Sequence, residues 1–132
     1  MKLEFISPEM FEVVRGWWKA HNHPDLPIEI MPDIGLAVVN SDGRMNAVGW
    51  LYGCNSAPVG WVEWITTDPA NTPMESYKSI TLLLTFMNEE AKKNGISVLL
   101  STCRQKALGR ILEKSGFKKT DEDVSHFLKL IT

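Results

Sequence analysis

The run "VGWVEWITT" at 59–67, the long stretch after it and the run "ISVLLSTC" at 96–103 most constrain how this chain can fold. Both runs are rich in β-branched, aromatic and aliphatic residues and read as strands. Between them Tyr77, Ile80, Leu84, Met87 and Ala91 recur at helical spacing, with Leu83 beside them. Pro73 suits the first helical position, and Asn94-Gly95 is a sound stop. A strand, a helix and a strand in this order make a crossover, so the two strands are expected as parallel neighbours. The almost fully apolar "ISVLLSTC" predicts a strand covered on both faces.

The remaining elements arrange themselves around this unit. "KLEFIS" reads as a first strand. Ser7 is placed to cap a helix that starts at Pro8 and carries Met10, Val13, Val14 and Trp17 inward. "HNHPDLPIEIMPD" holds three prolines and reads as a loop with one helical turn. "IGLAVVN" and "MNAVGWLYGC" flank "SDGR", and Asp-Gly between β-rich runs predicts a hairpin. Alternation along "VGWVEWITT" puts Trp61, Glu63 and Ile65 on one face, and Val62, Trp64 and Thr66 on the other. "RQKALGRILEKSG" predicts a helix with Leu108, Ile111 and Leu112 inward. "FKKT" and "VSHFLKLI" around the acidic "DED" predict a closing hairpin. The 132 residues, 44% of them hydrophobic, are those of a single domain, 1–132, with one core.

Composition narrows the function. A net charge of −2 gives no global attraction to nucleic acid or anionic membrane, although Lys114, Lys118 and Lys119 form a local basic group. Two cysteines, Cys54 and Cys103, are too few for a disulfide scaffold and are expected as buried, reduced thiols. The start "MKLEFISPEM" lacks the apolar run of a secretory signal, and "ITLLLTFM" is too short to span a bilayer. The expectation is a soluble, cytoplasmic protein without a membrane or nucleic-acid partner.

Two segments carry a resemblance. "ILEKSGF" at 111–117 is similar to the C-terminal "LYEKxGF" segment of the GNAT (Gcn5-related N-acetyltransferase) family. "EWITTDP" at 63–69 resembles its fourth strand, which commonly ends in a proline near the acetyl-CoA loop. The order of elements agrees over nearly the whole chain. The resemblance implies an α/β GNAT-like (acyl-CoA N-acyltransferase) fold. Its sheet would be mixed and mostly antiparallel, with splayed parallel central strands and flanking helices. It also implies acetyl-CoA as cofactor and an amine of a small molecule or protein as acceptor.

By that resemblance Glu63, on the fourth strand, is the candidate general base; burial near indoles would raise its pKa toward neutrality. The backbone of Ile65, Thr66 and Thr67 would meet the pantetheine arm or polarise the thioester. Ser76, Tyr77, Lys78 and Arg104 would lie against the phosphates, since the free N–H groups of a helix start favour an anion. The chain departs from the family at two places. The family loop, roughly Q/R-x-x-G-x-G/A, is matched by "ANTPMESYKS", with Thr72, Pro73, Glu75 and Tyr77 at the basic and glycine positions. Thr72-Pro73-Met74-Glu75 has the form of a capping box, in which the helix satisfies its own donors. Leu112 stands where the family often has a tyrosine that protonates the departing thiolate. Two readings therefore stand: an acetyltransferase, or a catalytically inactive GNAT-like binding protein with a protein partner, for example a phage virion-associated one.

The plain reading weighs against the other candidates. His21, His23 and Asp25 in "HNHPD" lack a further nearby histidine or cysteine, so no metal site is expected. His126 alternates with Val124 and Leu128 and reads as a partly buried structural histidine. Trp50, Trp61 and Trp64, on consecutive strands, read as a core cluster across the sheet.

Overall fold

The structure, a computed structural model, describes residues 1–131. Its elements are β1 (Lys2–Phe5), α1 (Pro8–Ala20), a 3-10 turn (Ile28–Ile30), β2 (Ile34–Val39), β3 (Met45–Gly53), β4 (Val59–Thr67), α2 (Pro73–Lys93), β5 (Val98–Ser101) and α3 (Lys106–Lys114). The strands form one sheet in chain order. Neighbours from β1 to β4 are antiparallel, and β4 and β5 are parallel, as the crossover through α2 requires.

Each face of the sheet buries its own helical layer. Ser7 Oγ accepts from the Met10 amide and starts α1, with Pro8 at the first position. Phe11, Val14, Trp17 and Trp18 of α1 then pack on Ala37, Val48 and Trp50. The inward stripe runs through 11, 14 and 18, so Val13 faces outward and is exposed, contrary to the expected stripe. On the opposite face α2 and α3 lay Ile80, Leu83, Leu84, Met87, Ile111 and Leu112 over Leu36, Val38, Leu51 and Val62. The turn between β2 and β3 closes as the Asp-Gly signal predicts. Asn40 Oδ1 accepts from the amides of Asp42 and Arg44, and Gly43 takes a positive φ of 81°.

One irregularity in β4 shapes the rest. Trp50 pairs with Glu63 but Val48 pairs with Thr66, so β4 carries one extra residue opposite Gly49. Trp64 sits there with φ 60°, in the left-handed region. Such a conformation costs on the order of 1–3 kcal/mol outside glycine. The indole is held by compensating bonds: Trp64 Nε1 donates to Tyr52 Oη at 2.9 Å, and Tyr52 Oη donates to the Ile30 carbonyl at 2.7 Å. The bulge breaks the expected alternation. Ile65 packs with Val62 on the α2 face, while Trp64 joins the α1 cluster.

Other expectations are corrected. No closing hairpin forms among the described residues, and β5 is the last strand of the sheet. Because nothing pairs beyond β5, Val98 and Leu100 are exposed and the strand is covered on one face only. His126 is exposed for the same reason. Cys54 and Cys103 are free but exposed, since both fall just past the ends of their strands. Trp61 stays exposed, while Trp64 shares the α1-side cluster with Trp50, where Phe11 and Trp18 are the ring neighbours of Trp50 and the Trp18 and Trp50 centroids lie 6.1 Å apart.

Gly35 lies opposite Trp50, and a Cβ there would come within 2.5 Å of Trp50 Nε1 and 2.8 Å of Cδ1. Trp50 is 2% exposed and has no room to retreat. Gly35→Ala is therefore expected to destabilise the fold by about 1–3 kcal/mol, measured by urea denaturation.

Candidate functional site

Strand β5 follows β4 only from Val59↔Val98 to Val62↔Ser101. Beyond that point Glu63–Thr67 pair with β3 alone, so β4 and β5 part. Two successive hydroxyls clasp the strands where they separate. Ser101 Oγ donates to the Val62 carbonyl at 2.7 Å. Thr102 Oγ1 lies 2.9 Å and 3.2 Å from the two Glu63 carboxylate oxygens. Glu63 is half-buried, and its loss of hydration pushes its pKa above the ordinary carboxylate value. The Thr102 hydrogen bond and the nearby His126 act in the opposite direction and are outweighed.

The loop that follows β4 is closed by its own side chains. The Asp68 amide donates to the Asn46 carbonyl, and the Ala70 and Asn71 amides donate to Asp68 Oδ1 and O. Thr72 N–H donates to Glu75 Oε1 at 2.9 Å, and Glu75 N–H donates to Thr72 Oγ1 at 3.2 Å, which is the capping box that the sequence predicts. The Ser76 amide donates to the Thr72 carbonyl, and Ser76 Oγ accepts from Asn71 Nδ2. Pro69 and Pro73 have no N–H to give. Arg44, from the β2–β3 turn, then ties the segment from outside. Its Nη2 reaches Asn71 Oδ1 at 2.8 Å and Glu75 Oε2 at 3.1 Å, and its Nε lies 3.3 Å from Asp68 Oδ2. The Thr72 amide, then the Thr72 hydroxyl and Arg44, hold the Glu75 carboxyl below its ordinary range.

This arrangement decides whether a coenzyme diphosphate fits. A helix start holds phosphate through free amides and a positive field. Here the Glu75 and Ser76 amides already donate to Thr72, Pro73 has none, and the carboxylates of Asp68 and Glu75 stand at the positive end with one guanidinium, that of Arg44, between them. An incoming diphosphate would displace hydrogen bonds and meet like charge. The residues present do not fit the group.

The other predicted site residues are scattered among different tasks. The Ile65 side chain is in the α2 core. The Thr66 hydroxyl accepts from Trp18 Nε1 at 3.1 Å and donates to the Trp64 carbonyl. The Thr67 carbonyl accepts from His21 Nε2 at 2.9 Å. Tyr77 lies under the Lys114 ammonium, 5.4 Å from the ring centroid, and Lys78 and Arg104 are exposed. Leu112 is buried in the core, so its position offers no proton donor. The "HNHPD" group is likewise divided: His21 bonds Thr67, His23 bonds Pro24 and meets Trp18 and Trp64, and Asp25 pairs with Arg15. No group of three metal-ligating side chains forms among the described residues. None of the described helices is long and apolar enough to cross a membrane. Sequence reading missed Arg44, Asn71 and Thr102. Arg44 and Thr102 reach across the fold, and nothing local marks any of the three.

No family model matches the chain, and no curated protein sequence matches it. Solved structures do. A probable acetyltransferase superposes with a TM-score of 0.73 at 11% identity, covering 100% of this chain and 99% of the other. The aminoglycoside N-acetyltransferase AAC(6')-Iy, in complex with CoA, gives 0.69 at 15% identity, covering 98% and 100%. The aminoglycoside 6'-N-acetyltransferase AAC(6')-Ih from Acinetobacter baumannii gives 0.67 at 17%, covering 99% of each chain. At these identities the likeness is one of architecture: the chain has the GNAT fold, that of the acyl-CoA N-acyltransferases.

Two measurements test the site. Thr72→Ala removes the acceptor for the Glu75 amide and is expected to cost about 1 kcal/mol in urea denaturation, with faster amide exchange at Glu75. Glu63 keeps its proton to a higher pH in the folded chain than in the unfolded one. Stability due to this group therefore falls as pH rises from the unfolded value, about 4.3, through the folded one, and the penalty persists above it. Glu63→Gln is expected to melt above the wild type at neutral pH, with the gap closing in acid. A gap independent of pH would contradict the raised pKa.

Proposed function

We propose that this chain is a GNAT-fold binding protein that works through a partner and does not hold acetyl-CoA by its diphosphate. The observation that carries the reading is the reciprocal cap of Thr72 and Glu75 at the start of α2, with the Glu75 carboxylate at the helix's positive end and Arg44 across it. The Glu75 carboxylate answers the dipole at the helix start and accepts the Thr72 amide, while Thr72 accepts the Glu75 and Ser76 amides. The loop is thereby ordered without a ligand. The buried Leu112 agrees with this reading, because it offers no group to protonate a thiolate.

A second reading, acetyl transfer from acetyl-CoA to an amine, is favoured by Glu63. It is half-buried at the point where β4 leaves β5, its pKa is raised, and Thr102 orients it. In this reading Glu63 takes the proton of the attacking amine. The aminoglycosides in the names of two structural neighbours make a polyamine the first acceptor to try.

Thermal unfolding with CoA and acetyl-CoA at millimolar concentration separates the two. A ligand at a hundred times its dissociation constant stabilises a protein by about 2.7 kcal/mol. No shift is expected. A clear shift, with thiol release in the presence of an amine that Glu63→Gln abolishes, would overturn the binding reading in favour of the second.

A further inference from the structure

The first strand sits at an edge of the sheet, and its sequence has an internal symmetry. In "MKLEF" the odd positions are apolar, and the even ones hold a cation and an anion, Lys2 and Glu4. Reversed, the stretch keeps the same pattern with the two charges exchanged.

The outer side of β1 is open. Lys2–Phe5 pair antiparallel with β2, and the Ile6 N–H donates to the Gly35 carbonyl at 2.9 Å. In such a ladder alternate residues point their N–H and C=O at the same neighbour. Ile6, Glu4 and Lys2 therefore face β2, while the N–H and C=O of Leu3 and Phe5 point away from the sheet, where no described group bonds them. Met1 and Phe5 are 58% and 60% exposed, on the face where Leu3 packs against the α2 core. Lys2 and Glu4 share the opposite face, and Lys2 Nζ lies 3.1 Å from Glu4 Oε1.

An open edge invites pairing, and its charges decide with what. Residues directly opposite in an antiparallel pair share a face, so a two-fold axis normal to the sheet must be centred on a residue. Centred on Lys2 or on Glu4, it sets like charges opposite each other, which is destabilising. Centred on Leu3, it sets Lys2 against Glu4 of the second copy, twice, and Met1 against Phe5, twice. The same centre brings the outward groups of Leu3 opposite their own copies, placed to exchange two backbone hydrogen bonds. The Phe5 N–H then faces the Met1 carbonyl on either side. A single register thus satisfies the charges, the apolar face and the backbone together.

We propose that β1 pairs with β1 of a second copy, antiparallel and centred on Leu3, which joins two five-stranded sheets into one across a two-fold axis. The pairing goes beyond the binding reading above and is independent of the coenzyme question at the start of α2. Five residues a side is far below the roughly 20–30 of a standard interface, so the dimer is weak.

In sedimentation the mass of the full chain is expected to rise from 14.9 kDa toward twice that between about 10 μM and about 1 mM. Lys2→Glu is expected to weaken association about tenfold, because position 2 then meets Glu4 in both cross-strand pairs. Glu4→Lys is expected to do the same. Lys2→Glu/Glu4→Lys restores opposite charges and is expected to associate as the wild type does, with an unchanged circular-dichroism spectrum in all three. Amide exchange locates the contact. With rising concentration the Leu3 and Phe5 amides are expected to slow by more than that of Glu4, which already faces β2. A chain that stays monomeric at the top of this range, a double variant as weak as the single ones, or slowed amides at β5 in place of β1 overturns the pairing. A mass that grows past two copies also overturns it, since this interface closes on itself.

Discussion

The extra residue in β4 is the constraint on which the rest of this fold depends. By placing Trp64 at positive φ opposite Gly49, the chain sends Trp64 to the α1 face and keeps Ile65 on the α2 face. Both helical layers therefore receive an apolar anchor from the same short stretch. The ladder to β5 stops just before this point, and the two strands part after Val62 and Ser101. The conformational cost at Trp64 is offset through Tyr52 by a link to the 3-10 turn, which ties the loop after α1 to the middle of the sheet.

The second organising feature is electrostatic. A helix of this length leaves its first amides unpaired and carries a positive end. Many α/β folds leave that end open for an anion. This chain meets the same requirement internally, with Glu75 as the anion, Thr72 as the reciprocal cap and Arg44 balancing the added charge. The architecture is that of the acyl-CoA N-acyltransferases, while the Glu75 and Ser76 amides at the start of α2 serve the loop itself.

Local signals proved legible and distant ones did not. The Ser7 and Thr72 caps, the Asp42-Gly43 turn and the α2 stripe were readable because each depends on residues a few positions apart. The bulge was not readable. Strict alternation along "VGWVEWITT" gives no sign that Trp64 will leave the pattern, because the reason lies in Tyr52 and Ile30 on other elements. The closing hairpin illustrates the opposite error. "VSHFLKLI" has the propensity of a strand, but pairing depends on where the folded chain carries the segment, and propensity does not decide that: the β5 edge stays unpaired among the described residues.

By itself, the sequence determined the order of the elements, the parallel relation of β4 and β5, and the self-capped start of α2, since chain connectivity and short-range hydrogen bonds are written in neighbouring residues. Only the tertiary structure decided that Arg44 would close the loop, that Thr102 would hold Glu63, and that the β5 edge would be left bare. Those outcomes depend on which distant groups the packed sheet brings within a few ångströms, and no local pattern encodes such distances.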